Sequence, residues 1–287
     1  MTAQSLPPAH RQLSLPADEQ LHTVNARVVV ARVAQIRAGL RAEAVAFARA
    51  EARRLSEELT GTAGVYVYEE TFGTKDRLHF LIHLESLGSH YELVRRADES
   101  KQGQGPDEWN RLFTPGSVQE TVLMPQFWGM YGTRVDGRLE KQSALYRGTG
   151  AAALPPAREQ TSLPPDSILH SGNAGIVMLR RGQMASEFRS EARQFGRVVA
   201  ESINKNLPGE CSVFVYEEAF GQADQLHWLI HLKDIDTYMR LMELHVRDEE
   251  VREIYFRDWI PAEKGGGTWA GLFLDGTMSD VALTPLH

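Results

Sequence analysis

Cysteine is nearly absent from this chain: Cys211 is the single one in 287 residues. No intrachain disulfide can form, which excludes a disulfide-stapled scaffold and fits a reducing compartment. Long apolar runs are missing too. A stretch such as Val28-Val29-Val30-Ala31 falls far short of the roughly 20 residues a membrane helix needs. There is no excess of basic residues. Lys and Arg number 31 against 38 Asp and Glu, for a net charge of -7, so a nucleic-acid surface is not expected. The N-terminus reads Met-Thr-Ala-Gln-Ser-Leu-Pro-Pro, with no basic or apolar leader. No signal peptide is expected, and a cytoplasmic protein is the simplest reading. Apolar content of 42% and charged content of 24% are those of an ordinary globular chain.

What is present is repetition. Val65 to Leu84 reads VYVYEETFGTKDRLHFLIHL, and Val213 to Leu232 reads VFVYEEAFGQADQLHWLIHL. The two align without a gap, 148 residues apart. The offset also holds upstream: Leu6-Pro7-Pro8 falls on Leu154-Pro155-Pro156, Leu21-His22 on Leu169-His170, and Asn25-Ala26 on Asn173-Ala174. A fixed offset of this kind marks a repeated structural unit. The Pro-rich stretch in mid-chain is then the start of a second unit, and its repetition predicts that each arm docks in a defined way.

Each half follows one pattern. Ala26 to Ala34 and Ala174 to Gly182 read as strands. Helical stretches follow from about Gly39 to Leu59 and Ala185 to Asn206, rich in strong helix formers. Val65 to Glu70 and Leu78 to Leu84 form a hairpin around Gly73-Thr74, and the second copy does the same. A second helix begins near Ser86 and near Asp234, with an extra helical piece at Asp248 to Asp258. The last strands are expected at Glu120 to Tyr131 and Thr268 to Leu274. The order β-α-β-β-α-β is the split βαβ, or ferredoxin-like, unit. The expected fold is α+β: two tandem ferredoxin-like repeats, residues 1–148 and 149–287, each with a Pro-rich arm. Their bare sheet faces would pack together as a pseudo-two-fold α/β barrel enclosing a cavity.

Strand alternation assigns the lining. A turn at Gly73-Thr74 pairs Tyr68 with His79 and Tyr66 with Leu81. The Val, Leu, Phe and Ile set goes under the helices. Tyr66, Tyr68, Glu70, His79, Leu81 and His83 face inward, and in the second half Phe214, Tyr216, Glu218, His227, Leu229 and His231 do so. Such a lining suits a small aromatic or polyketide-like ligand. The candidate catalytic set is His79, His227, His83, His231, Tyr68 and Tyr216. The candidate ligand-binding set is Asn25, Asn173, Tyr66, Phe214, Glu70 and Glu218. Either a buried, satisfied His–Tyr pair or a catalytic one is compatible with this pattern. Likewise Asn25 and Asn173 either reach the cavity mouth or cap a turn. Glu69 and Glu217, on the helix side near the turn, are expected to be solvated. No metal is expected. His79 and His83 lie about 13 Å apart along a strand, whereas Zn–N bonds are about 2 Å.

The repeated pattern over residues 25–134 and 173–278 resembles the dimeric α/β-barrel superfamily, and within it the antibiotic-biosynthesis-monooxygenase-like group in duplicated form. That resemblance implies one of several activities: cofactor-independent monooxygenation, haem degradation, polyketide cyclisation or plain ligand binding. In those groups an Asn on the first strand often serves the site, which matches the neighbourhood of Asn25 and Asn173. A Trp or His on the second helix often serves too, but here the repeated histidines lie on the hairpin, and His90 and His245 are not repeat-matched. The leading expectation is an enzyme of secondary metabolism that oxygenates or cyclises a small aromatic intermediate. It would need no cofactor and would use an interior His as general base, with Tyr68 or Tyr216 at the oxyanion. The alternative is a binding protein for haem or a hydrophobic ligand. Exposed β-edges leave room for a homodimer.

Overall fold

The computed structural model describes residues 7–99, 107–126, 134–135, 138–139 and 154–287. In chain order the first half has β1 (Val28–Gln35), α1 (Arg41–Glu58), β2 (Ala63–Phe72), β3 (Arg77–Leu84), α2 (Ser89–Glu99), the short α3 (Glu108–Leu112) and β4 (Gln119–Pro125). A two-residue ladder, β5 (Arg134–Val135) with β6 (Arg138–Leu139), follows. The second half has β7 (Ile176–Gln183), α4 (Arg189–Asn206), β8 (Cys211–Ala219), β9 (Gln225–Leu232), α5 (Asp236–Arg247), α6 (Glu249–Phe256) and β10 (Ser279–Pro285).

Eight of these strands form one closed barrel in the order β1-β3-β2-β10-β7-β9-β8-β4. Every neighbouring pair is antiparallel. The two sheets therefore do not stack as separate layers. They are stitched edge to edge, β2 to β10 and β4 to β8. The driving force is the row of N–H and C=O groups that each open edge would leave unpaired. Closure consumes the edges on which a strand-mediated homodimer would depend.

The hairpin register is the expected one: Tyr68 opposes His79 and Tyr66 opposes Leu81, and in the second half Tyr216 opposes His227. The outward residues of β2 and β3, among them Val65, Val67, Phe80 and Ile82, pack beneath α1. There the helix presents Ala44, Ala48 and Ala52, all essentially fully buried. Small residues at that spacing let the helix lie close to the sheet. The second half uses larger residues, Phe195, Val199 and Ile203 on α4 against Trp228 on β9.

Two expected strands move. The first half's last strand ends at Pro125, and residues 127–131 of the expected span lie outside the described residues. In the second half Thr268 to Leu274 holds a short 3-10 turn, Trp269–Leu272, and the strand is Ser279–Pro285. The repeat match resumes after a shift: Leu112-Phe113 falls on Leu272-Phe273 and Pro125 on Pro285, now 160 residues apart. The added twelve residues carry α6, capped by Asp248, whose side chain accepts from the N–H of Val251.

The Pro-rich arms dock at the two seams. Gln12 donates to the carbonyls of Val67 (2.7 Å) and Leu286 (3.1 Å) and accepts from the N–H of Val67 (2.9 Å). Gln160 does the same for Val215 and Gln126. Each amide side chain stands in for a strand partner where the ladder runs out. Glu217 is a further correction. It is 5% exposed and pairs with buried Arg193 through two hydrogen bonds of 2.8 and 2.9 Å, whereas Glu69 meets the exposed Arg41. Burial raises the Glu217 carboxyl, against the pull of Arg193. Cys211 is buried, and desolvation pushes its thiol up to about 12, so it is inert.

Candidate active site at the open end of the barrel

The barrel interior is divided in two. One half is sealed by the segments that precede β1 and β7, which cross there and bond to each other. The N–H of Thr23 donates to Ser171 Oγ and the N–H of Ser171 to Thr23 Oγ1, both at 3.0 Å. His83 Nδ1 lies 3.0 Å from the Gly64 carbonyl and its Nε2 lies 3.0 Å from Ser171 Oγ. A carbonyl only accepts, so Nδ1 carries the proton and Nε2 accepts from the Ser171 hydroxyl. His231 repeats this with Ser212 and Thr23. Tyr68 donates to the Ser171 carbonyl at 2.5 Å and Tyr216 to that of Thr23 at 2.6 Å. Tyr66 donates to Gln20 Oε1.

Six of the expected site residues thus belong to a sealed network. Tyr66, Tyr68, Phe214, Tyr216, His83 and His231 are all 0% exposed. The polar ends of the five that carry one are occupied by protein partners, so none is placed to touch a ligand. Burial lowers both His83 and His231 to about 3 and raises the tyrosine hydroxyls. The oxyanion role expected of Tyr68 and Tyr216 is not available. Asn25 and Asn173 also stand apart. They are exposed, and each accepts from a backbone N–H three residues earlier and donates to a carbonyl five residues earlier. They are turn caps. His22 and His170, which precede them, stack on each other at 3.6 Å.

The other half of the barrel is open. It holds a cavity of about 310 Å³ with His79 and His227 in its wall. They are 4% and 6% exposed. His79 Nε2 lies 3.4 Å from Glu70 Oε2, and His227 Nε2 lies 3.3 Å from Glu218 Oε2. The second oxygen of each carboxylate accepts a turn N–H, from Thr74 at 2.8 Å and Gln222 at 3.1 Å. The turn therefore fixes the acid and the acid orients the imidazole. With Nε2 donating, Nδ1 keeps its lone pair. His79 Nδ1 is buried and has no hydrogen-bond partner among the described residues. Desolvation lowers His79 below its usual value despite Glu70, and the neighbouring His227 holds Glu218 below its own. His79 is thus a neutral base backed by a carboxylate.

This arrangement explains the repeated Phe-Gly. A Cβ on Gly73 would lie 2.0 Å from Glu70 Oε1, and one on Gly221 would lie 1.7 Å from Glu218 Oε1. Gly73 also sits at φ +121°, a conformation other residues adopt only with strain. We expect Gly73→Ala to cost about 1–3 kcal/mol and to detach Glu70 from His79. Thermal denaturation and the histidine NMR signals would show both; an unchanged His79 signal would refute the linkage.

The rest of the lining was not picked out from the sequence. Val33 opposes His79, Gln35 opposes Arg77, and Arg181 opposes His227. Residues directly opposed across an antiparallel pair share a face, so extending the inward set across β1 and β7 would have found them. A second, smaller cavity of about 160 Å³ lies behind the second sheet, beneath α4 and α5. Its histidine, His245, is bonded on both nitrogens, to the Leu241 carbonyl and the Tyr255 hydroxyl.

A family described as a family of unknown function, DUF6039, matches residues 1–103 and 94–287. The chain belongs to DUF6039. No curated protein matches it by sequence. Solved structures share the family's fold. A provisionally assigned monooxygenase of Fusobacterium nucleatum subsp. nucleatum is 7% identical with a TM-score of 0.55, covering 91% of this chain and 93% of that one. A second, from Lactobacillus acidophilus, is 10% identical with a TM-score of 0.52, covering 91% and 95%. A chlorite dismutase variant of Candidatus Nitrospira defluvii is 12% identical with a TM-score of 0.45, covering 91% and 92%. The first two likenesses show a shared fold alone and leave the chemistry of the DUF6039 chain to its own residues.

His83, His231 and His245 have both nitrogens bonded, so none of the three is free to ligate a haem iron. His79 Nδ1 and His90 Nδ1 are buried without a hydrogen-bond partner among the described residues. Among the described residues no cluster of three or more His, Cys, Asp or Glu is placed to hold a metal ion. No described helix is long and apolar enough to cross a membrane.

Proposed function

We propose that the protein is an enzyme that removes a proton from a small aromatic or polyketide-like molecule held in the open half of the barrel. His79 or His227 is the general base. The observation that carries this reading is the pair of cavity-wall histidines, each bonded through Nε2 to a glutamate, with His79 Nδ1 buried and without a hydrogen-bond partner among the described residues. Nδ1 takes a proton from an acidic C–H or phenolic O–H of the ligand, and Glu70 or Glu218 stabilises the imidazolium that forms. The carbanion or phenolate left behind is the species that dioxygen oxygenates or an internal electrophile captures, which are the two outcomes expected of a monooxygenase-like enzyme or a cyclase. The repeat at 148 residues is read as an internal duplication, by which one chain supplies both couples.

Solvent exchange tests this without a known substrate. In D2O the protein is expected to accelerate deuterium incorporation into members of a panel of phenolic and aromatic 1,3-dicarbonyl compounds, followed by NMR. His79→Ala and His227→Ala should each slow the exchange. The double variant should lose on the order of 10²–10⁴-fold while keeping its circular dichroism spectrum. Full exchange activity in a folded double variant would sink the proposal. Binding to wild type with no exchange, seen by native mass spectrometry, would favour a ligand carrier instead.

A further inference from the structure

We infer that the molecule bound in the open half of the barrel carries a carboxylate, held at the rim by Arg181 with Arg77 nearby. The inference rests on the reading of that cavity as the ligand site. It starts from how charge is placed around it. The cavity wall contains Arg77, Arg181, His79 and His227 and no Asp or Glu, in a chain whose net charge is -7. The two carboxylates of the region, Glu70 and Glu218, are tied to the histidines and the turn N–H groups.

Arg181 is the cation with capacity to spare. Its neighbour Arg180 points to the other face of β7 and is gripped by Asp280 through two hydrogen bonds of 2.8 Å. Arg181 instead donates from Nε to Ser279 Oγ at 3.1 Å. Its two Nη groups have no acceptor among the described residues. Arg77 approaches Glu70 only at 3.5 Å and is 38% exposed. The guanidinium fork matches a planar carboxylate in a two-bond geometry that a point charge does not reproduce.

The floor gives the other half of the ligand. Ala31, Leu123, Leu179 and Val281 line the lower cavity. An apolar body fits there and its carboxylate fits at the rim. In that orientation the body lies between the two histidines. The two halves differ at this point: Arg181 is matched by Val33, and Arg77 by Gln225. The binding end of the cavity is therefore not two-fold symmetric, and the ligand binds in one direction.

The test uses the full chain with ¹³C-labelled histidine, titrated with benzoate and, separately, with benzamide of nearly the same shape. Benzoate is expected to shift the His79 and His227 signals saturably and to bind at least tenfold more tightly than benzamide. Arg181→Gln should erase that difference, leaving benzamide binding unchanged, and Arg181→Lys should restore part of it. Equal binding of the two probes, or wild-type benzoate affinity in Arg181→Gln, overturns the carboxylate inference and leaves the cavity reading intact. No shift of either histidine with either probe overturns both.

Discussion

Lowering the pH from 6.5 towards 4 unfolds this protein cooperatively. His83 and His231 are fully buried, and desolvation holds each at about 3 in the folded state, against about 6.5 when unfolded. The folded values lie below the unfolded ones, so between pH 6.5 and 3 the unfolded chain binds more protons. Stability is complete above pH 6.5 and is lost as the pH falls, by about 1.4 kcal/mol per pH unit for each group. Two histidines therefore cost roughly 7 kcal/mol by pH 4, on the scale of the 5–15 kcal/mol that holds a domain together. The stacked His22 and His170 are lowered to about 3 and about 2 and act in the same direction. Urea denaturation at successive pH values checks this, and at pH 5 unfolding should take up at least two protons. Constant stability between pH 7 and 5 would show that the sealed network accepts protons, contrary to its geometry.

Ser171→Ala lowers the melting temperature by on the order of 10 °C. Its hydroxyl oxygen accepts the N–H of Thr23, and its proton goes to His83 Nε2. Removing the hydroxyl strands both partners in a dry interior, at about 1–3 kcal/mol each. In a chain of this size each kcal/mol is worth roughly 2–4 °C. Thr23→Val should act similarly, because Thr23 Oγ1 serves the N–H of Ser171 and His231 Nε2. The effects of the two should not add, since both residues belong to one network. Asn25→Ala removes an exposed turn cap and should cost about 1 kcal/mol, near the value for a lost cap. Differential scanning calorimetry of the three variants separates these outcomes. A melting temperature for Ser171→Ala within 2 °C of wild type, about 1 kcal/mol or less, would mean that the crossing segments contribute little.

Much of the fold was legible because it depends on local pattern. The alternation in Val65 to Leu84 sets which side chains face inward, and the turn at Gly73 sets the register that pairs Tyr68 with His79. The last strand was misplaced because a twelve-residue insertion shifts the repeat, and Thr268 to Leu274, with its Trp and Phe, resembles a strand locally. The candidate site was half legible. His79, His227, Glu70 and Glu218 were named from parity alone and come together in the open half. His83 and His231 carry the same parity, yet they are walled off by segments that reach them from the opposite half of the chain.

By itself the sequence determined the strand and helix order, the inward set and the presence of two matching halves, because each follows from periodicities of two, of 3.6 and of 148 residues. Tertiary structure alone decided the rest. It joined the sheets at their edges, because open edges leave backbone groups unpaired. It brought Ser171 to His83 and Thr23 to His231, contacts between residues 88 and 208 positions apart. In doing so it turned two of four equivalent histidines into sealed scaffold and left the other two facing a cavity.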